Sequence, residues 1–255
     1  MFLFLTLLLM TPMPAQVEKK VGTLSNRKNT NWITETVLKW APKAGFNKSS
    51  DIDVILAMIK KESDFKHLKT PGGAGEIGAL QVIPAEKHIK RAVSRYRCTA
   101  KEMKKKVFVE HTFSSGKTVK FWYKLCRCSP RKNAKCNLPN IGKFIGNRYK
   151  AYTWKTRLFL QHSKRGALAT GIYEMAFWRR KYQSYLKKRF WTKFPRWYFN
   201  KKDFNISTGY RWWKKIKEEL GEYIWVVHYN WGGRICYWKI AKHYPLQIIK
   251  YLGKI

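Results

Sequence analysis

A chain of 255 residues with 45% hydrophobic content can bury one substantial core, or one core carrying a sizeable insertion, and is too short for several large domains. Its 53 Lys and Arg against 15 Asp and Glu give a net charge of +38, enough to attract almost any polyanion, so charge by itself names no partner. The bias is uneven, because ten of the fifteen acids lie at or before Glu110.

The chain opens with MFLFLTLLLM, an apolar run of about nine residues that is too short to span a bilayer and has the length of a signal-peptide core. Residues 1–15 therefore read as a signal peptide and 16–30 as a basic linker, so the protein is expected to be exported. Asn31 to Trp40 has helical spacing through Trp32, Ile33, Val37 and Trp40, with Thr30 or Asn31 as cap. After a loop, Ser50 with Asp53 resembles a capping box that starts a second helix. In that helix Ile55, Met58, Ile59 and Glu62 fall at i, i+3, i+4 and i+7, so Glu62 continues the apolar stripe. A carboxyl placed on such a stripe is positioned to retain a proton, the state a general acid needs.

Pro71-Gly72-Gly73-Ala74-Gly75 reads as a loop permitting close backbone approach, and a short helix through Glu86, Ile89 and Val93 follows Ile83-Pro84. Val107 to Phe113 and Thr118 to Tyr123 alternate around Ser114-Ser115-Gly116-Lys117, a hairpin signal. Cys98, Cys126, Cys128 and Cys136 flank and follow it with a spacing that matches no common zinc site, so in an exported chain disulfides are expected there, and no metal or other cofactor. Cys236 is expected to be buried on an apolar helix. Residues 91–165 read as an inserted, basic, cysteine-containing subdomain. Helical pattern resumes at Ala167, and Arg179 to Lys202 then holds ten Lys/Arg, eight aromatics and no acid. Leu220 to Tyr229 reads as an apolar helix ending in a Tyr-Asn-Trp-Gly-Gly turn, and Tyr244-Pro245 opens the last helix.

Three separated blocks share a pattern: Glu62-Ser63; the loop Gly75-Glu76-Ile77-Gly78-Ala79-Leu80-Gln81; and His228-Tyr229-Asn230-Trp231-Gly232. In this order they resemble the lytic transglycosylase (SLT-type) family of the lysozyme superfamily, related to goose-type lysozyme. The chain departs from that family at Glu76 and Ala79-Leu80 in the loop, at Trp231 after the asparagine, and in the long insertion. The resemblance implies an α+β, mainly α fold: a lysozyme-like helical domain built from 31–90 and 166–255, interrupted by the small β-hairpin insertion. It implies a middle helix in which Gly171 packs closely and Tyr173 follows.

It also implies chemistry on peptidoglycan glycan strands. Glu62 would protonate the bond after N-acetylmuramic acid and then act as base on the sugar 6-hydroxyl, closing a 1,6-anhydro ring. Gln81 would hold sugar groups, Tyr229 would orient Glu62 or the N-acetyl carbonyl, and Ser63 and Asn230 would support them. Gly78 would permit close backbone approach, while Tyr173 and Tyr251 would line the cleft. Two other readings stay open. One is a goose-type hydrolase with Glu76 as second carboxylate; Asp64 is set aside because two helical residues rotate it by about 200° from Glu62. The other is a cationic protein that binds walls or membranes through its basic face, its lysozyme-like fold inactive. An envelope or virion location suits all three, and nucleic acid would bind only non-specifically.

Overall fold

The computed structural model describes residues 14–25, 29–69, 75–84, 86–112, 116–125, 148–186, 205–231 and 242–255. They are mainly helical with one two-stranded antiparallel sheet. Among them no helix is long and apolar enough to cross a membrane. The chain divides into two compact units, one of residues 1–65 and 175–255, the other of residues 66–174.

The first unit begins with helix α1 (Pro14–Leu24), where a basic linker was expected. The reason is legible in the stripe Val17, Val21 and Leu24, which is buried while Glu18 and Lys19 are exposed. Most of the expected signal peptide, residues 1–13, lies outside the described residues, but Pro14 and Ala15 already belong to α1. Helix α2 (Asn31–Trp40) matches its sequence expectation, with Thr30 in the cap position but no side-chain cap bond. The loop expected after it contains a 3₁₀ turn at Pro42–Ala44.

Helix α3 (Ser49–Ser63) is the centre of this unit. Its stretch from Val54 to Ile59 is buried on every side, and it packs against α1 and against the last helix. The capping box expected at Ser50 and Asp53 is displaced: the buried Asp51 accepts the Lys48 backbone N–H at 2.9 Å. Asp51 also pairs with Arg179 at 3.4 Å, whereas Asp53 pairs with Lys20 at 2.5 Å. Both acids fit a capping pattern, and the burial of Asp51 beside a guanidinium selects the register.

Among the described residues, three further helices lead to the end of the chain. Helix α8 (Ile206–Leu220) is capped by the Asn205 side chain, which accepts from Thr208 N at 3.1 Å. The single helix expected over 220–229 is interrupted: Gly221, at φ +50°, ends α8, a 3₁₀ turn covers Gly221–Tyr223, and α9 runs Val226–Trp231. Asn230 therefore lies within a helix rather than in a turn after it. Helix α10 (His243–Leu252) packs against α3, α8 and α9. Phe46 and Trp225, both 1% exposed, meet with ring centroids 5.9 Å apart in the same core.

The second unit holds α4 (Lys87–Val93), α5 (Ala100–Lys104), strands β1 (Lys106–Thr112) and β2 (Thr118–Lys124), α6 (Arg148–His162) and the first part of α7 (Lys164–Leu186). The short helix and the hairpin are where the sequence placed them, and Val107 faces Tyr123 in the ladder. One sheet face is buried: Val109 and Val119 are covered, and Phe121 lies 5.7 Å from the Trp154 ring of α6. Among the described residues, the stretch read as an insertion also contains the end of α4, α5, α6 and the start of α7.

Glu102 ties this unit together, accepting from Thr99 N at 2.9 Å, Tyr96 OH at 2.7 Å and Ser163 OH at 2.7 Å. Burial pushes its carboxyl up, but these donors together hold it below the usual carboxylate value. Burial and the same carboxylate push the Tyr96 phenol up. Cys98 is disulfide-bonded, and Cys126, Cys128, Cys136 and Cys236 lie outside the described residues, as does the basic run beyond Leu186.

Candidate functional site

The expected site residues fall on both units. Glu62, Ser63, Tyr229, Asn230 and Tyr251 belong to the first; Glu76, Gly78, Gln81 and Tyr173 belong to the second.

In the first unit, Glu62 sits in the last turn of α3, half-buried, where the stripe begun by the wholly buried Ile55, Met58 and Ile59 comes to its end. Tyr244, in the first turn of α10 and 4% exposed, donates its hydroxyl to Glu62 Oε1 at 2.6 Å. A buried aromatic ring thus fixes the orientation of the carboxyl group. Sequence reasoning assigned an orienting phenol to Tyr229 and missed Tyr244. Its signal was present: Tyr244 and Tyr251 are seven residues apart, on one face of a helix opened by Pro245. Tyr229 is half-buried on α9, the helix that packs against α10.

Tyr251 lines a cavity of about 410 Å³ together with Thr23, Ser25, Lys60, Asp64 and Lys254. The Ser63 hydroxyl is buried and donates to Ile59 O at 3.2 Å, closing the end of α3 rather than reaching toward a ligand. Asp64 has already left the helix, with φ +52° in the left-handed region, and accepts from Lys60 Nζ at 2.6 Å. Helical rotation therefore does not set its direction; Lys60 holds this carboxylate. Phe65 follows with φ +61° and is 3% exposed. Two successive non-glycine residues at positive φ are a local cost, tolerated where packing over-determines the chain directly after Glu62.

In the second unit the glycine loop is a closed turn. Ile77 and Val82 exchange both backbone hydrogen bonds at 2.9 Å, leaving Gly78 to Gln81 as the turn. Gly78 has φ +89°, and a Cβ there would lie 2.9 Å from the Ala167 Cβ, so conformation and space both require glycine. On the next turn of α7, a Cβ at Gly171 would lie 2.6 Å from the Leu80 Cβ, the close packing expected of that helix. Gln81, at φ +48°, donates its side-chain amide to Gly78 O at 2.5 Å, so in this conformation the amide braces its own turn. Glu76 is half-buried at the start of the loop.

Tyr173 is 8% exposed beneath the Arg95 guanidinium, 5.5 Å from its ring centre. Burial pushes its phenol up, against the nearby Arg95 charge. The next residue, Glu174, faces His88 at 3.3 Å, a pair the sequence did not suggest. Among the described residues no group of three His, Cys, Asp or Glu has the arrangement of a metal site.

Each unit thus presents one part of the expected constellation: a positioned carboxyl in the first, a braced glycine turn on a close-packed helix in the second. No protein-family model, curated protein or solved structure matches this chain.

Proposed function

We propose that this protein is a peptidoglycan lytic transglycosylase that cleaves the bond from N-acetylmuramic acid to N-acetylglucosamine and leaves a 1,6-anhydro end. The observation that carries the reading is the Glu62 carboxyl, at the exposed end of a buried helix, with Tyr244 OH donating to it at 2.6 Å. A single carboxyl can protonate the leaving oxygen and then take the proton of the sugar 6-hydroxyl, provided its orientation is held through both steps. Tyr244 supplies that restraint. The substrate's own N-acetyl group would stabilise the sugar C1, so no second carboxylate is required.

A hydrolase would need another acid to position water. Asp64 is held by Lys60 at 2.6 Å and is poorly suited to that task, which leaves Glu76. The basic surface would hold the enzyme on anionic wall polymers outside the membrane or on a virion. Mass analysis of the products released from purified peptidoglycan tests the proposal. Glu62→Gln is expected to abolish release of 1,6-anhydro products while leaving wall binding intact. Undiminished release would sink the assignment, and products one water heavier would establish hydrolysis instead.

A further inference from the structure

We infer that the solvent face of the β1–β2 hairpin is a binding strip for a carboxylated glycan. Along this face the cross-strand pairs run Lys106–Lys124, Phe108–Trp122, Glu110–Lys120 and Thr112–Thr118. The opposite face is covered by the unit's own core, so these residues are not needed to bury the sheet. Phe108 and Trp122 are nevertheless 49% and 63% exposed, meeting edge to face with ring centroids 5.4 Å apart. A hairpin whose other face supplies its packing gains little by keeping two large aromatics in water, and such a pair marks a contact surface.

The charges beside the pair say what fits. Lys106 and Lys124 stand directly opposite each other, and neither has a carboxylate partner among the described residues. Like charges at facing positions destabilise a strand pair. An anionic group bridging them would remove that repulsion. On the other side of the aromatics the charge is already balanced, with Glu110 and Lys120 3.1 Å apart, and the two threonine hydroxyls bond each other at 2.8 Å.

The strip is therefore cationic at one end, aromatic in the middle, and neutral and hydroxyl-rich at the other. A nucleic acid carries a phosphate at every residue and would meet Glu110. A glycan with occasional carboxylates matches the gradation. The apolar face of a pyranose ring stacks on the negative π face of the indole. Adjacent pairs on one face are about 7 Å apart, so a carboxylate on the stacked sugar reaches the lysine pair. The choice of glycan rests on the transglycosylase reading, in which the strand carries carboxylates on muramic acid residues that have lost their peptide and on the attached peptides elsewhere.

The test uses the full chain in the non-cleaving Glu62→Gln background, sedimented with insoluble peptidoglycan stripped of phosphate-bearing polymers, at near-physiological salt. Adding Trp122→Ala is expected to weaken sedimentation about tenfold, and Trp122→Phe to restore most of it. Lys106→Gln with Lys124→Gln is expected to remove much of the salt dependence. Unchanged sedimentation by Trp122→Ala would overturn the proposal. So would a Trp122-dependent affinity for oligo-dT exceeding that for the wall polymer. If the protein with Glu62 intact releases no anhydro product while Trp122-dependent sedimentation persists, the enzymatic reading fails and the strip stands.

Discussion

Replacing Tyr244 with phenylalanine isolates the restraint on Glu62. The substitution keeps the ring, which is 4% exposed, and deletes only the hydroxyl that donates to Glu62 Oε1 at 2.6 Å. A hydrogen bond to a charged group contributes about 1.5–3 kcal/mol, against about 1 kcal/mol for a neutral pair. If that interaction orients the carboxyl through both proton transfers, its loss lowers kcat by roughly 10- to 150-fold. Because Glu62 is half-buried, water can replace the phenol in the ground state, so the melting temperature should fall by only a few degrees. KM should be nearly unchanged if the hydroxyl acts through the Glu62 carboxyl rather than on the glycan. The assay is the initial rate of anhydro-product release over a range of peptidoglycan concentrations, beside a thermal melt. Wild-type kcat in Tyr244→Phe, with Glu62→Gln inactive, would refute the positioning role. A change in KM alone would move Tyr244 into substrate binding.

Three further outcomes follow from the packing. Gly171→Ala places a methyl 2.6 Å from the Leu80 Cβ and should destabilise the protein by about 1–3 kcal/mol, measured by denaturant unfolding and partly relieved by Leu80→Ala. Asp51→Ala removes both the cap of α3 and the buried partner of Arg179 and should cost about 3 kcal/mol, whereas Asp53→Ala should cost under about 1 kcal/mol. Equal effects in thermal melts would contradict the observed cap. His67 and His162 are both held below the ordinary imidazole value of 6.5, chiefly by burial and then by nearby lysines, with the Gln161 carbonyl opposing the shift at His67. A depressed folded pKa means the unfolded chain takes the proton first. Stability is then fully present above pH 6.5 and is lost as the pH falls through that value toward the lower folded ones. Melting temperature should decline over that interval, and His67→Gln with His162→Gln should flatten the decline.

The periodic elements were legible locally. Alternation placed the hairpin, and helical spacing placed α2, α3 and α4, because burial of one face leaves its period in the chain. The same signal was present in Val17, Val21 and Leu24, but the surrounding lysines made the segment read as a linker. The close packing of Gly171 was implied by the family resemblance, and a Cβ there would indeed lie 2.6 Å from the Leu80 Cβ. Other features depended on residues far apart in sequence. The register of the α3 cap depends on Arg179, 128 residues from Asp51. Above all, the sequence presented Glu62 as an acid on an apolar stripe, but its phenol partner is 182 residues away. Helical period determines which face a side chain occupies. Only the packing of α10 on α3 decides which tyrosine on that face reaches the carboxyl group, because a hydrogen bond depends on tenths of an ångström that no sequence spacing encodes.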